Sequence, residues 1–257
     1  MFTFITSLRH PKNCNSYERV GYLLEKTLQS VCQQTNNNFK VLIVCNKIPD
    51  IKVNQHVEFL EVDFPAPSHL DHPQTGMEAI RIDRGCKYMA GLVYARRYDP
   101  SSVMFFDADD YISNQIVEYV DSQAEKSGWY INTGYQYQFG DSYLTRLQNF
   151  YSHCGTSLIY PYTMLDVPAG LTESSSLSSI QQHADENYLK YILGSHRSSV
   201  RIHQSQGHLF QPLPFPAAIW MLGNGENHSG RKGKPGNLPI TNEIHDEFSF
   251  YPAQLSE

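Results

Sequence analysis

The 257-residue sequence has no apolar run approaching the ~20 residues that a membrane-spanning helix requires, so no integral membrane segment is expected. It lacks the basic start and small-residue cleavage site of a secretory signal. Met1-Phe2-Thr3-Phe4-Ile5-Thr6 reads instead as a first buried strand. Close cysteine pairs are missing too. Cys14, Cys32, Cys45, Cys86 and Cys154 are scattered, and none has the spacing of a zinc site. Unpaired thiols suit a reducing compartment, and a cytoplasmic protein is expected. Basic residues are scarce: 20 Lys and Arg against 26 Asp and Glu leave a formal charge of −6, which argues against nucleic acid as a partner. No internal repeat and no linker divide the chain, so a single α/β domain is expected.

What is present alternates in period. Phe2 to Leu8 reads as a strand. From Tyr17 to Gln34, Val20, Leu23, Leu24, Thr27, Leu28 and Val31 fall on one helical stripe. Val41 to Cys45 and Val57 to Val62 read as strands, and Leu70 to Thr75 as a loop. A helix from about Met77 to Arg97 places Ile82, Cys86, Met89 and Val93 on one side. Strand and helix in alternation imply right-handed crossovers and a mostly parallel sheet. The second half differs. Trp129 to Tyr162 is dense in aromatics, with strand-like alternation at Tyr135, Tyr137 and Phe139. Ser178 to Leu193 reads as one helix closed at Gly194, and the chain beyond Gly223 as a loop-rich tail.

Asp107-Ala108-Asp109-Asp110 follows the apolar run Val103-Met104-Phe105-Phe106. Acids therefore arrive where a buried strand ends, the place where open α/β sheets bind ligands. Two carboxylates one residue apart can reach a single divalent cation. Alternatively, Asp110 or Ser113 caps a helix starting near Asn114.

The N-terminal part resembles the nucleotide-sugar glycosyltransferases of the GT-A (Rossmann-like) fold, in particular the family-two-like group. The likeness rests on Leu28-Gln29-Ser30-Val31-Cys32-Gln33-Gln34-Thr35, on Phe39 to Val44, on Gly91 to Arg97, and on Phe105-Phe106-Asp107-Ala108-Asp109-Asp110, in that order. It covers roughly residues 1 to 115. One departure is Asn46-Lys47, where many such enzymes carry a base-contacting Asp.

The resemblance implies a mostly parallel sheet flanked by helices. Residues 1–115 would form the nucleotide-sugar-binding half, and 116–257 an acceptor-binding half with a C-terminal lid. It implies a hexosyltransferase-type enzyme that moves a sugar, with inversion, from a nucleoside diphosphate to a saccharide or other hydroxyl acceptor. Uridine diphosphate is a guess at the donor's nucleotide. Asp107 and Asp109 would hold Mn2+ or Mg2+, with His228 as a further ligand. Glu186, or Asp185 beside it, would take the acceptor proton. Arg9, Arg84, Lys87 and Arg197, together with Asp107, would contact the nucleotide and its phosphates. Trp129 and Tyr130 are the first choices for an acceptor platform, and Arg231, Lys232 and Lys234 for closure over a diphosphate. The other classes weighed are a nucleotidyltransferase, disfavoured because Ser7-Leu8-Arg9-His10-Pro11 has no glycine, and a non-catalytic carbohydrate-binding module.

Overall fold

A computed structural model describes residues 1–68, 73–124, 127–227, 233 and 235–252. His228, Arg231, Lys232 and Lys234 lie outside the described residues. The first half runs β1 (Phe2–Ser7), α1 (Tyr17–Val31), β2 (Phe39–Cys45), β3 (Val57–Glu61), α2 (Pro73–Ala95) and β4 (Ser102–Phe105). Then come β5 (Tyr111–Ile112), α3 (Ile116–Ser122), β6 (Gly128–Tyr130), β7 (Thr133–Gln138), β8 (Tyr143–Gln148) and β9 (Leu158–Pro161). The chain ends with α4 (Leu177–His183), α5 (Ser199–Ser205), β10 (Phe210–Pro212), β11 (Ala218–Leu222), β12 (Leu238–Pro239) and α6 (Asn242–Phe248).

The main sheet has the order β10-β6-β9-β4-β1-β2-β3. Strands β3, β2, β1 and β4 run parallel, β9 is antiparallel to β4 and β6, and β10 is parallel to β6. This is the mostly parallel, helix-flanked sheet that a GT-A-like arrangement requires. Period-two alternation sorts its side chains. Phe2, Phe4, Val41 and Ile43 face α1, whose Val20, Leu24, Leu28 and Val31 complete that core. Ile5, Leu42, Val44, Val103 and Phe105 face α2 and pack on its Cys86, Met89, Leu92 and Val93. Gly91 lets α2 lie close to the sheet, because a Cβ there would sit 2.9 Å from Ile5 Cγ2.

A second sheet, β12-β8-β7-β11-β5, carries a separate core of Tyr111, Tyr137, Ile219 and Met221 under Ile244, Phe248 and Phe250. The tail beyond Gly223 is loop-rich, and it also contains β12 and α6, whose Ile244 and Phe248 join Phe250 in this core.

Two other boundaries differ. Helix α2 starts at Pro73, inside the expected loop, because proline suits a first helical turn. The expected helix over 178–193 is broken in two. Ser176, not Ser178, caps α4, accepting from Ser179 N at 3.2 Å. A separate wide helical turn spans Tyr188–Leu193. Ala184 is extended (φ −105°, ψ 141°), and Asp185 starts the new turn by accepting from Tyr188 N, while backbone contact seats that turn on α2. A Cβ on Gly85 would lie 2.0 Å from the Leu189 carbonyl oxygen, and one on Gly194 2.2 Å from that of Arg81. Two glycines thus let α2 and this turn touch main chain to main chain.

Candidate active site

The turn after β4 is fastened from several sides. Thr6 Oγ1 and Tyr88 Oη donate to the Phe106 carbonyl at 2.7 and 3.2 Å. Thr27 Oγ1 donates to the Ala108 carbonyl at 3.1 Å. Ser30 Oγ both donates to the Ile112 carbonyl and accepts its N–H, at 2.8 and 2.9 Å. Gln34 donates to the Ser113 carbonyl at 3.0 Å and accepts from Val117 N at 3.1 Å. Thr35 N donates to the Asn114 carbonyl at 2.9 Å. Ser30, Gln34 and Thr35 of the Leu28–Thr35 stretch therefore dock the segment that leaves the acids. Each such bond adds about 1 kcal/mol net, and more is lost if one buried partner is removed.

The three acids have different surroundings. Asp107 is ion-paired through Oδ1 to Arg84, whose guanidinium also donates to Tyr88 Oη at 3.0 Å. Its backbone N–H donates to Thr156 Oγ1 at 2.9 Å. Asp109 accepts at Oδ2 from Asn224 Nδ2 and Asn227 Nδ2, at 2.7 and 2.9 Å. Burial, then the charge on Asp107, pushes the Asp109 carboxyl up to about 6. Asp110 is fully buried. Its Oδ1 accepts from Met221 N at 2.9 Å, and its Oδ2 from Thr156 Oγ1 at 2.5 Å and Cys154 Sγ at 3.0 Å. Burial raises Asp110 and Cys154 well above their ordinary ranges. The helix-cap role considered for Asp110 is thus corrected: it is an internal tie between β4, β11 and the 154–156 turn. Ser113 does accept from Gln115 N, at 3.3 Å, just before α3.

A cavity of about 330 Å3 opens over this turn. Its walls include Arg9 and His10 after β1, Arg81, Asp83 and Arg84 on α2, Asp107 and Asp109, and His196 and Arg197 after Gly194. Glu226 and Asn227 close one side. Arg81 and Arg197 have no ion-pair partner among the described residues. Burial lowers His196 to about 4, against the pull of Asp107. Its ring is therefore neutral at neutral pH, and Nε2 is buried without a hydrogen-bond partner among the described residues.

Of the residues singled out in the sequence, Arg9, Arg84, Asp107, Asp109 and Arg197 share this cavity. Lys87 does not line it. It is fully buried, with Nζ 2.9 Å from Asp83 Oδ2 and 3.0 Å from the Leu8 carbonyl. It supports the wall from behind. Asp185 and Glu186 are exposed and do not line the cavity. Asp185 Oδ1 accepts from Tyr188 N at 2.8 Å, so it caps the wide turn. Trp129 is a core residue packed edge-on to Tyr119, and Tyr130 packs on Tyr151. The cavity's indole is Trp220, stacked on His153 at 6.4 Å. Neither ring stood out, because Trp220 lies in an apolar strand and His153 in a turn. Asn224, Glu226 and Asn227 were missed as well, although a run of amide and acid groups between glycines is a visible signal.

Asp107 and Asp109 fit a hard divalent cation. Each has one oxygen engaged by side-chain donors and a second oxygen that no other described residue hydrogen-bonds. The repulsion that raises Asp109 is what a cation between them would relieve. A different trio, Asp107, Asp110 and Cys154, brings one ligand atom each within 4.8 Å of one another, so it too could hold a metal ion. The first pair is chemically better suited. Both Asp110 oxygens are already spent on protein donors, and burial favours the protonated Cys154 thiol.

No family model and no curated protein sequence matches the chain. Solved structures do align with it. They include S. aureus TarS residues 1–349, at TM-score 0.42 and 12% identity over 86% of this chain and 60% of that one. A longer TarS structure aligns at 0.41 and 11%, covering 86% of this chain and 36% of the other. HddC from Yersinia pseudotuberculosis aligns at 0.40 and 12%, over 85% and 93%. A protein from Desulfovibrio desulfuricans G20, described as a nucleotide-diphospho-sugar transferase, aligns at 0.37 and 10%, over 86% and 80%. The chain thus spans 60% and 36% of the two TarS structures. At these scores and identities the likenesses identify no family, and the functional reading rests on the cavity itself.

Proposed function

We propose that the chain is a metal-dependent glycosyltransferase that moves a sugar from a nucleoside diphosphate to a hydroxyl acceptor. One observation carries this reading: Asp107 and Asp109 stand at the carboxyl end of β4, on a cavity also lined by Arg9, Arg84 and Arg197. Acids for a cation and cations for an anion on one cavity suit a cation–diphosphate pair. Asp107 and Asp109 would hold Mn2+ or Mg2+, which would neutralise charge developing on the departing nucleoside diphosphate.

The chain's own groups supply the rest. Arg84 fixes Asp107 through Oδ1 and keeps a positive charge on the cavity wall. Arg81 and Arg197 are available to fork onto phosphate oxygens. Trp220 and His153 offer an aromatic face on which a sugar ring can pack. Two carboxylates compete to take the acceptor proton. Glu186 is favoured by resemblance. Asp83 is favoured by position, since it lines the cavity and burial raises its carboxyl above the usual range despite Lys87.

The test is release of nucleoside diphosphate from a panel of nucleotide sugars with and without Mn2+. Mn2+-dependent release that vanishes in Asp107→Ala and Asp109→Ala supports the reading. Undiminished release in either variant with a chelator present rejects it. Comparing Asp83→Asn with Glu186→Gln then assigns the base: the variant losing more than about 100-fold in kcat, the scale of general-base catalysis, carries it.

A further inference from the structure

Asp109 is held by a segment that nothing in the Leu28–Asp110 motifs announces. After β11 the chain makes two left-handed turns, at Gly223 (φ +71°) and Gly225 (φ +88°), conformations open to glycine at little steric cost. Between and beyond them, Asn224 and Asn227 both point their amide nitrogens at one oxygen, Asp109 Oδ2. Their orientation is not free. Asn227 Oδ1 accepts from Asn224 N, and Asn224 Oδ1 accepts from Glu226 N, each at 2.9 Å. With both amide oxygens committed to backbone donors, both nitrogens must face the carboxylate. Asn227 Nδ2 also reaches the Met221 carbonyl at 2.9 Å.

Glu226 clamps this segment to the start of α1. Its side chain is 5% exposed. Oε1 accepts from Ser16 N at 2.8 Å, and Oε2 accepts from Asn15 N and Arg9 Nη1, both at 3.2 Å. Arg9 Nη2 returns to the Glu226 carbonyl at 2.7 Å, and Asn15 Nδ2 to the Gly225 carbonyl at 2.7 Å. An anion is favoured at a helix N-terminus, and a guanidinium completes the seat. The Glu226 carboxylate is therefore buried with both oxygens bonded, and the two asparagines ride on this clasp.

We propose that Asn224 and Asn227 are positioning residues for the cation site, held in place by the Glu226–Arg9 clasp. Two amide donors saturate Asp109 Oδ2 and lock the carboxylate's rotation. Oδ1 is then the oxygen presented to the cation, at no cost of reorganisation when the ion arrives. This inference rests on the reading of Asp109 as a cation ligand. Partners that orient ligands from behind typically govern 10- to 100-fold of metal affinity.

The experiment is a Mn2+ titration followed by the electron paramagnetic resonance signal of the free ion, with Mn2+ alone and then with uridine diphosphate added. Asn224→Ala and Asn227→Ala are each expected to weaken Mn2+ binding about 10- to 100-fold. Excess Mn2+ should restore much of their lost turnover, which a merely structural defect would not allow. If folded variants bind Mn2+ as tightly as wild type, the inference falls while the cation reading stands. If wild-type protein binds no Mn2+ under either condition, the cation reading fails and takes the inference with it. Should both alanine variants misfold, Glu226→Gln loosens the clasp without emptying its volume. It is expected to weaken Mn2+ binding about 3- to 10-fold, at the low end of such effects. Wild-type affinity in that variant would overturn the inference.

Discussion

Helices α1 and α2 are both crossover helices on the same parallel sheet, yet they spend their polar residues in opposite directions. On α1, Thr27 and Ser30 form internal bonds to the acid turn, and Gln34 just beyond the helix continues the series. On α2, Arg81, Asp83 and Arg84 face the cavity. One helix fastens the acid turn and the other lines the cavity. Apolar stripes alone would make them equivalent. What separates them is that α2 turns three charged residues to the cavity, while its Tyr88 and Lys87 bond backbone carbonyls as the polar groups of α1 do.

This contrast can be broken by mutation. The largest effect is expected for Arg84→Ala, which frees Asp107 and removes a cavity charge. Turnover should fall at least about 100-fold, the scale of losing one well-placed electrostatic contact, while Tm barely moves. A large Tm loss without a kinetic effect would put Arg84 among the scaffold residues. Ser30→Ala should do the reverse. It leaves the buried Ile112 N–H and carbonyl unpaired, costs about 2 kcal/mol, and should keep donor affinity within about threefold. Chemical denaturation and donor titration separate the two outcomes.

Asp109→Asn sharpens the comparison within the turn itself. It removes the repulsion from Asp107 while keeping an oxygen for Asn224 and Asn227. The variant should gain about 1 kcal/mol, the order of magnitude by which burial and a like charge disfavour an ionised carboxylate held above its ordinary range. It should also lose Mn2+ binding. A thermal scan that shows no gain would mean that the turn carries little electrostatic strain.

The smallest effect belongs to neither helix. His203 stacks on Phe210, and both ring nitrogens are buried without partners among the described residues. Burial lowers it from 6.5 to about 4. The fold therefore resists its protonation, and its penalty grows as pH falls from 6.5 towards 4. His203→Phe should add about 1 kcal/mol at neutral pH by removing the unpaired nitrogens. It should also flatten that part of the acid-denaturation profile. An unchanged profile would assign the acid sensitivity elsewhere.

The strands and helices up to β4 were legible because their apolar periods are clean and each packs on a uniform surface. The aromatic second half was legible only in part. The alternation at Tyr135 and Tyr137 marks β7, but Trp129 is core while Trp220 faces the cavity, and composition does not distinguish them. Helix α6 was invisible because its burial comes from Phe248 and Phe250 meeting Tyr111, Tyr135 and Tyr137 across the molecule. At the site, the acids could be read because a strand end concentrates them. Lys87 could not be placed, since i to i+4 pairing with Asp83 turns it inward. Asn224 and Asn227 lie more than a hundred residues from Asp109 and signal only through their glycine neighbours.

Where α2 meets the turn before His196, the two main chains touch because Gly85 and Gly194 have no side chains. A single methyl at either place would act as a wedge. Arg81 and Arg84 would tilt away from Arg197, and the groove between them would widen by roughly the girth of that group. The width available to a guest is therefore set by two missing carbons, at positions where even alanine is too large.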